Sequence, residues 1–335
     1  MAEQLLRLAQ NTQDPSALIF AYRVWGVALY WNGDLLSALE HFHKVLMLYD
    51  NQQHQSLAFV SVTDSRVLCQ GYVAATLWVL GYPDQALKRV QGALTLAREL
   101  SHSGSLAYAL SWAARLHQLC RDVQSAREQT ETLIAVCTEQ GLSFFLLWGL
   151  AILGWTQVEQ GQGEEGMVRI RENLTTKRAI GIEVEETYWL VLLAEACRRT
   201  GQSEEGLVVV AEALDLIDKS ELRVFKAELY RLKGELTLQK FQVQGSKFQI
   251  NNPQSAFPNP QSEAEAYFLR AIEIAQKQQA KSWELRASTS LARLWQQQGK
   301  KTEAHKLLAD VYNWFTEGFD TKDLQEAKAL IEELN

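Results

Sequence analysis

Proline is scarce in this chain: five residues in 335, three of them between Pro253 and Pro260. Over the rest of its length little forbids long helices. No apolar run approaches the roughly 18 residues of a membrane span. The most apolar window, 142–153, has the length of a core helix. Positive charge is not in excess, since 33 Lys and Arg against 40 Asp and Glu give a net charge of −7. That balance argues against direct nucleic-acid binding, where affinity comes from Lys and Arg. The four cysteines, Cys69, Cys120, Cys137 and Cys197, form no CxxC pair, as expected of reduced, buried thiols. The N-terminal MAEQLLRLAQNTQ lacks the basic start, apolar run and small-residue cleavage site of a secretory signal. The expected location is cytoplasmic, with no membrane association.

Motifs of chemistry are also missing. There is no GxxxxGK[ST]. Residues 161–166 match GxGxxG, but the segment before them is helix-length, and Glu164 and Glu165 would repel a phosphate. His41 and His43 are two apart, so on a helix they point to different faces, unlike a metal pair at i, i+4. The adjacent pairs Glu164-Glu165, Glu185-Glu186 and Glu204-Glu205 suit solvated helix starts. No cofactor, metal or catalytic residue is expected, and the chain reads as a non-enzyme.

A repeat is present. Gly33, Gly81, Arg121, Gly161, Gly201, Asn259 and Gly299 mark turns at spacings of 48, 40, 40, 40, 58 and 40 residues. The period is therefore 40, with one insertion of 8 and one of 18. Five residues after each turn stands Ala38, Ala86, Ala126, Gly166, Gly206, Ala264 or Ala304. Seven before each stands Gly26, Ala74, Ala114, Gly154, Ala194, Gly234 (with the 18 extra residues placed after it) or Ala292. Nine after the turn a larger side chain follows in most units: Phe42, Val90, Ile170, Val210, Phe268 and Leu308. Thr130 is the weak member, in the unit that has Arg121 in place of glycine, and that unit should be the least regular. Small residues midway along two antiparallel helices allow close approach, and a glycine turn ends the first helix in left-handed backbone.

This pattern resembles the tetratricopeptide repeat, with a period about six residues longer than that family's usual one. The wording of residues 77–87, 228–236, 291–304 and 314–334 is similar to the C-terminal sensor repeats of bacterial STAND-type ATPases, MalT-like regulators and class III nucleotide-cyclase fusions. The resemblance implies an all-α, tetratricopeptide-like α-solenoid of about seven helix pairs wound into a right-handed superhelix. It implies one repeat domain over 1–335: an N-terminal helix over 1–13, repeats over 15–320, a flexible insertion at 242–262 and a C-terminal capping helix over 321–335. Residues 50–64 read as a further loop. The role implied is a protein- or ligand-binding sensor of a signal-transduction ATPase or cyclase. A stand-alone scaffold joining partner proteins is the alternative.

In such repeats the first helix of each pair lines the concave groove, at positions thirteen, ten, six and three before the turn. That register places Tyr108, Trp148 and Tyr188 in one aromatic row, with Arg115, Trp155, Glu195, Arg198, Arg231 and Arg293 around it. Aromatic and Arg side chains dominate interface hot spots. A protein or peptide partner, or a small anionic ligand, is the expected occupant. The competing reading makes the aromatics inter-repeat core, and both stay open at this point.

Overall fold

The computed structural model describes all residues except 1, 13, 51–61, 182–184, 221 and 248–258. The described residues hold sixteen helices and no strand. The chain divides into two compact units, Met1–Leu153 and Gly154–Asn335, each treated by itself below.

The first unit begins with α1 (Ala2–Thr12) and continues with three helix pairs. These are α2 (Pro15–Asn32) with α3 (Leu35–Leu48), α4 (Ser65–Leu80) with α5 (Pro83–Glu99), and α6 (Ser103–Leu119) with α7 (Val123–Gln140). The unit boundary falls within α8 (Ser143–Glu159). The second unit continues with α9 (Gly163–Ala179), α10 (Glu186–Arg199) with α11 (Ser203–Ser220), α12 (Lys226–Lys247) with α13 (Pro260–Lys277), α14 (Lys281–Gln297) with α15 (Lys301–Tyr312), and α16 (Lys322–Leu334). With α8 and α9 as a pair, the pairs number seven.

Local chemistry sets the helix ends. Asp14 accepts from the Ser16 amide at 2.9 Å with Pro15 in the first turn, which fits a ring that fixes φ and needs no donor there. At Gly33 (φ 85°) the glycine N–H donates to the Tyr30 carbonyl and the Asp34 N–H to the Leu29 carbonyl. This two-bond cap satisfies carbonyls the helix leaves open. It recurs at Gly81, Gly161, Gly201 and Gly299. Arg121 makes the same cap at φ 60°, and its helices are as long as the others. The expectation of a less regular unit there fails, because the hydrogen bonds hold a non-glycine residue in left-handed backbone. Asn259 is no turn of this kind: at φ −61° it caps the start of α13.

A second series of left-handed residues closes the second helices: Ser101, Gly141, Gly181 and Gln279. The expected loop at 50–64 falls mainly on residues outside the description. So does the centre of the expected insertion at 242–262, although α12 runs on to Lys247.

Packing follows the size pairing read from sequence. A Cβ built on Gly26 would lie 2.7 Å from the Phe42 ring, one on Gly234 2.5 Å from the Phe268 ring, and one on Gly154 2.8 Å from Ile170. Glycine at these sites is what lets the partner helix close in. The last core joins Leu285, Ala292, Ala304 and Leu308 to Leu324, Ala327, Leu330 and Leu334 of α16.

Candidate functional site

Six of the nine groove residues expected from the repeat register are buried. In the first unit Tyr108 packs on Trp148 at 6.0 Å and on Phe145 at 6.0 Å between ring centroids. Arg115, 3% exposed, sits over Trp112 at 4.8 Å, Trp31 at 5.8 Å and Trp148 at 6.0 Å. A guanidinium enclosed by indole faces exchanges hydration for cation–π attraction. Trp148 keeps partial exposure beside Phe144. Here the structure brings Tyr108, Arg115 and Trp148 together, and buries two of the three.

In the second unit Tyr188 is 3% exposed and packs on Phe225 at 5.6 Å. This corrects the expectation that Tyr188 offers an open ring, since burial against the next helix pair takes its apolar face. Trp155 is buried too, and its Nε1 donates to Glu195 Oε2 at 3.2 Å across a 40-residue separation. The tryptophan N–H and the carboxylate thereby satisfy one another.

The arginines divide sharply. Arg231 donates twice to Glu228, at 2.8 and 2.7 Å, and reaches Glu235 at 3.5 Å. Arg286 lies 3.6 Å from Glu228 and donates to Asp323 at 2.7 Å. Arg293, exposed, donates to Glu326 at 3.0 Å. Burial pushes the Glu228 carboxyl up, but Arg231, then Arg286 and Arg198, outweigh it and hold it below the ordinary range. Glu235 behaves likewise: burial raises it, while Arg231, Arg198 and the Ser290 hydroxyl hold it low. Arg231 therefore has no charge to spare for a ligand. Arg198 differs, since its Nε is buried without a hydrogen-bond partner.

Arg198 lines a cleft of about 210 Å³ among α10, α12, α13 and α14. Glu235, Gln239, Ser290 and Arg293 supply polar walls, and Leu238, Phe268 and Leu294 supply apolar ones. Arg198, Glu235, Leu238 and Arg293 stand at register positions of the first helices, so sequence reasoning reaches them. It misses Ser290, whose hydroxyl donates to Glu235 Oε1 at 2.6 Å across 55 residues. It also misses Gln239, whose Nε2 donates to the Arg198 carbonyl at 2.9 Å. The polar side chains on first helices around residues 239 and 290 were the available signal.

The GxGxxG letters serve packing: a Cβ on Gly166 would collide with the Gly154 carbonyl and with Val158. The four cysteines are buried, and none forms a disulfide. Among the described residues no group of His, Cys, Asp and Glu could hold a metal ion, and no helix is long and apolar enough to cross a membrane.

No protein-family model matches the chain, and no curated protein matches its sequence. Solved structures do match in fold. A Rap protein complexed with Competence and Sporulation Factor aligns with a TM-score of 0.59 at 13% identity, over 94% of this chain and 80% of that one. The apo form of RapI aligns with a TM-score of 0.52 at 12% identity, over 94% and 99%. A STAND protein with a tetratricopeptide repeat sensor from Pyrococcus horikoshii aligns more loosely, with a TM-score of 0.46 at 12% identity, over 98% of this chain and 48% of that one. The chain has an all-α, tetratricopeptide-like repeat fold.

Proposed function

We propose that the chain is a non-catalytic recognition module, and that the first-helix face of residues 154–335 holds its partner. The observation that carries this reading is Arg198. On a wall where Arg231, Arg286 and Arg293 are each matched by a carboxylate, Arg198 lines a cleft with a buried donor left unmade. Buried polar groups in native proteins are overwhelmingly hydrogen-bonded, so an exception in a cleft points to an absent partner. A carboxylate supplies the missing acceptor in charge-assisted form. A Rap protein of similar fold, solved in complex with Competence and Sporulation Factor, supports a partner-binding reading of this architecture. Together with the repeat wording, it supports a sensor or regulatory part of a bacterial signal-transduction ATPase or nucleotide cyclase.

Replacing Arg198 and Arg293 together by Ala should lower capture of the partner from lysate at least tenfold, with helical circular dichroism unchanged. Arg171→Ala, which removes an ion pair to Glu205 elsewhere on the surface, should capture the partner as the parent does. Equal capture by all three proteins would remove this face from the function.

A further inference from the structure

The cleft beside Arg198 holds unsatisfied groups of both kinds. Arg198 Nε is a buried donor without an acceptor, and Gln239 Oε1 is a buried acceptor without a donor. The orientation of the Gln239 amide is set by its Nε2, which donates to the Arg198 carbonyl. Turning the amide would place two acceptors against each other. Glu235 accepts from both Ser290 and Arg231 through Oε1, which leaves Oε2 for a cation. Leu238, Phe268 and Leu294 complete the lining with apolar surface. The volume, about 210 Å³, is below the roughly 300 Å³ at which pockets for drug-sized ligands begin.

These features select among small ligands. An inorganic anion or a dicarboxylate would use the arginine but would face Glu235 and leave Gln239 Oε1 unmade. A plain amine would answer Glu235 and Gln239 but would face Arg198. An uncharged apolar ligand would leave every polar group unmade, at the full desolvation cost. A zwitterion with a short apolar body answers all of them. We propose that this cleft binds a free α-amino acid with an aliphatic side chain. Its carboxylate pairs with Arg198, its ammonium lies between Glu235 Oε2 and Gln239 Oε1, and its side chain lies on Leu238, Phe268 and Leu294. The inference rests on the reading of this face as a recognition surface, and it names a small effector within it.

Calorimetric titration of the full chain with L-alanine, L-valine, L-isoleucine and L-leucine tests the assignment. 4-Methylpentanoate and 3-methylbutylamine serve as leucine analogues that each lack one charge. At least one amino acid should bind one to one, and each analogue should bind at least tenfold more weakly. Arg198→Ala should abolish binding. Gln239→Leu and Glu235→Gln should each weaken the amino acid at least tenfold, while 4-methylpentanoate binds Gln239→Leu as it binds the parent and Glu235→Gln no more weakly; Gln239→Leu, which leaves the ion pairs intact, decides the matter if Glu235→Gln lowers the melting temperature. No binding of any of the four amino acids at millimolar concentration overturns the proposal. So does binding of 4-methylpentanoate as tight as that of leucine, which would make this an anion site. If the amino acids fail while the Arg198 and Arg293 double variant still loses the partner, the effector falls and the recognition surface stands. If leucine binds but partner capture ignores those arginines, only the partner reading falls.

Discussion

Left-handed backbone is costly for a residue with a Cβ, yet Ser101, Arg121, Glu185 and Gln279 all adopt it, at φ 50°, 60°, 72° and 56°. Ser101 and Gln279 occupy the turns after second helices, where Gly141 and Gly181 stand in neighbouring repeats. Both are exposed, and the backbone bonds Ser101 N to the Arg98 carbonyl and Gln279 N to the Gln276 carbonyl need no side chain. Gln279→Gly together with Ser101→Gly should therefore stabilise the protein. Relief of αL strain, partly offset by the greater freedom of glycine in the unfolded chain, sets the gain at about 0.5–1 kcal/mol per site. Chemical denaturation reads it directly, and a lower midpoint for the double variant would mean that the side chains contribute more than the strain removes. The same residues show why half the turns were not legible in the sequence. The first-helix turns carry Gly33, Gly81, Gly161, Gly201 and Gly299 and announce a period. The second-helix turns mix Ser, Gly and Gln, and only the backbone shows that they repeat.

Helix pairs are matched in size at one crossing. Where the second helix brings Phe42, Ile170 or Phe268, the first helix has Gly26, Gly154 or Gly234, and where it brings Leu308 the first has Ala292, in the same core. These residues were legible in the sequence because both ends of the contact recur at fixed offsets from the turn. Gly234→Ala would set a methyl 2.5 Å from the Phe268 ring, with the ring fully buried. It should cost about 1–3 kcal/mol as overpacking. In a Phe268→Leu background, which copies the Ala292 and Leu308 pair, the added methyl should cost less. A double-mutant cycle should therefore show coupling of at least about 0.5 kcal/mol. Additive effects would mean that the ring slides aside freely and that the size pairing is incidental. The candidate site was less legible than this packing. The register located Arg198, Glu235, Leu238 and Arg293, but not which arginines were already neutralised. That depends on Asp323 and Glu326, which come from another helix, and on Glu228, one turn before Arg231 on its own helix. Trp148 and Tyr188 illustrate the same limit: equivalent positions in the repeat, one left partly open and the other covered by Phe225.

At the scale of the whole chain, stability in a repeat fold is close to a sum of repeat terms and nearest-neighbour contacts. Damage should then stay near its source. The ion network of residues 154–335 offers a severe test, because Asp323, Arg286, Glu228, Arg231 and Glu235 link α16, α14 and α12 in a continuous chain of contacts. Arg231→Ala would leave Glu228, 2% exposed, with Arg286 at 3.6 Å as its remaining close counter-charge. Breaking a buried pair from one side costs about 3–5 kcal/mol, a large part of the roughly 5–15 kcal/mol that holds a domain folded. Arg198→Ala removes a charge that helps hold Glu228 and Glu235 low but breaks no direct pair with either, so its cost should be well below that of Arg231→Ala. Amide hydrogen exchange separates the two outcomes by place as well as by size. In Arg231→Ala, protection should fall in α10, α12, α13, α14 and α16, while α2 to α7 keep the parent's exchange rates. Loss of protection spread evenly from α2 to α16 would show that all the repeats unfold as one cooperative block. Local loss confined to the network would show that stability here is a sum of repeat terms, as the nearest-neighbour picture requires.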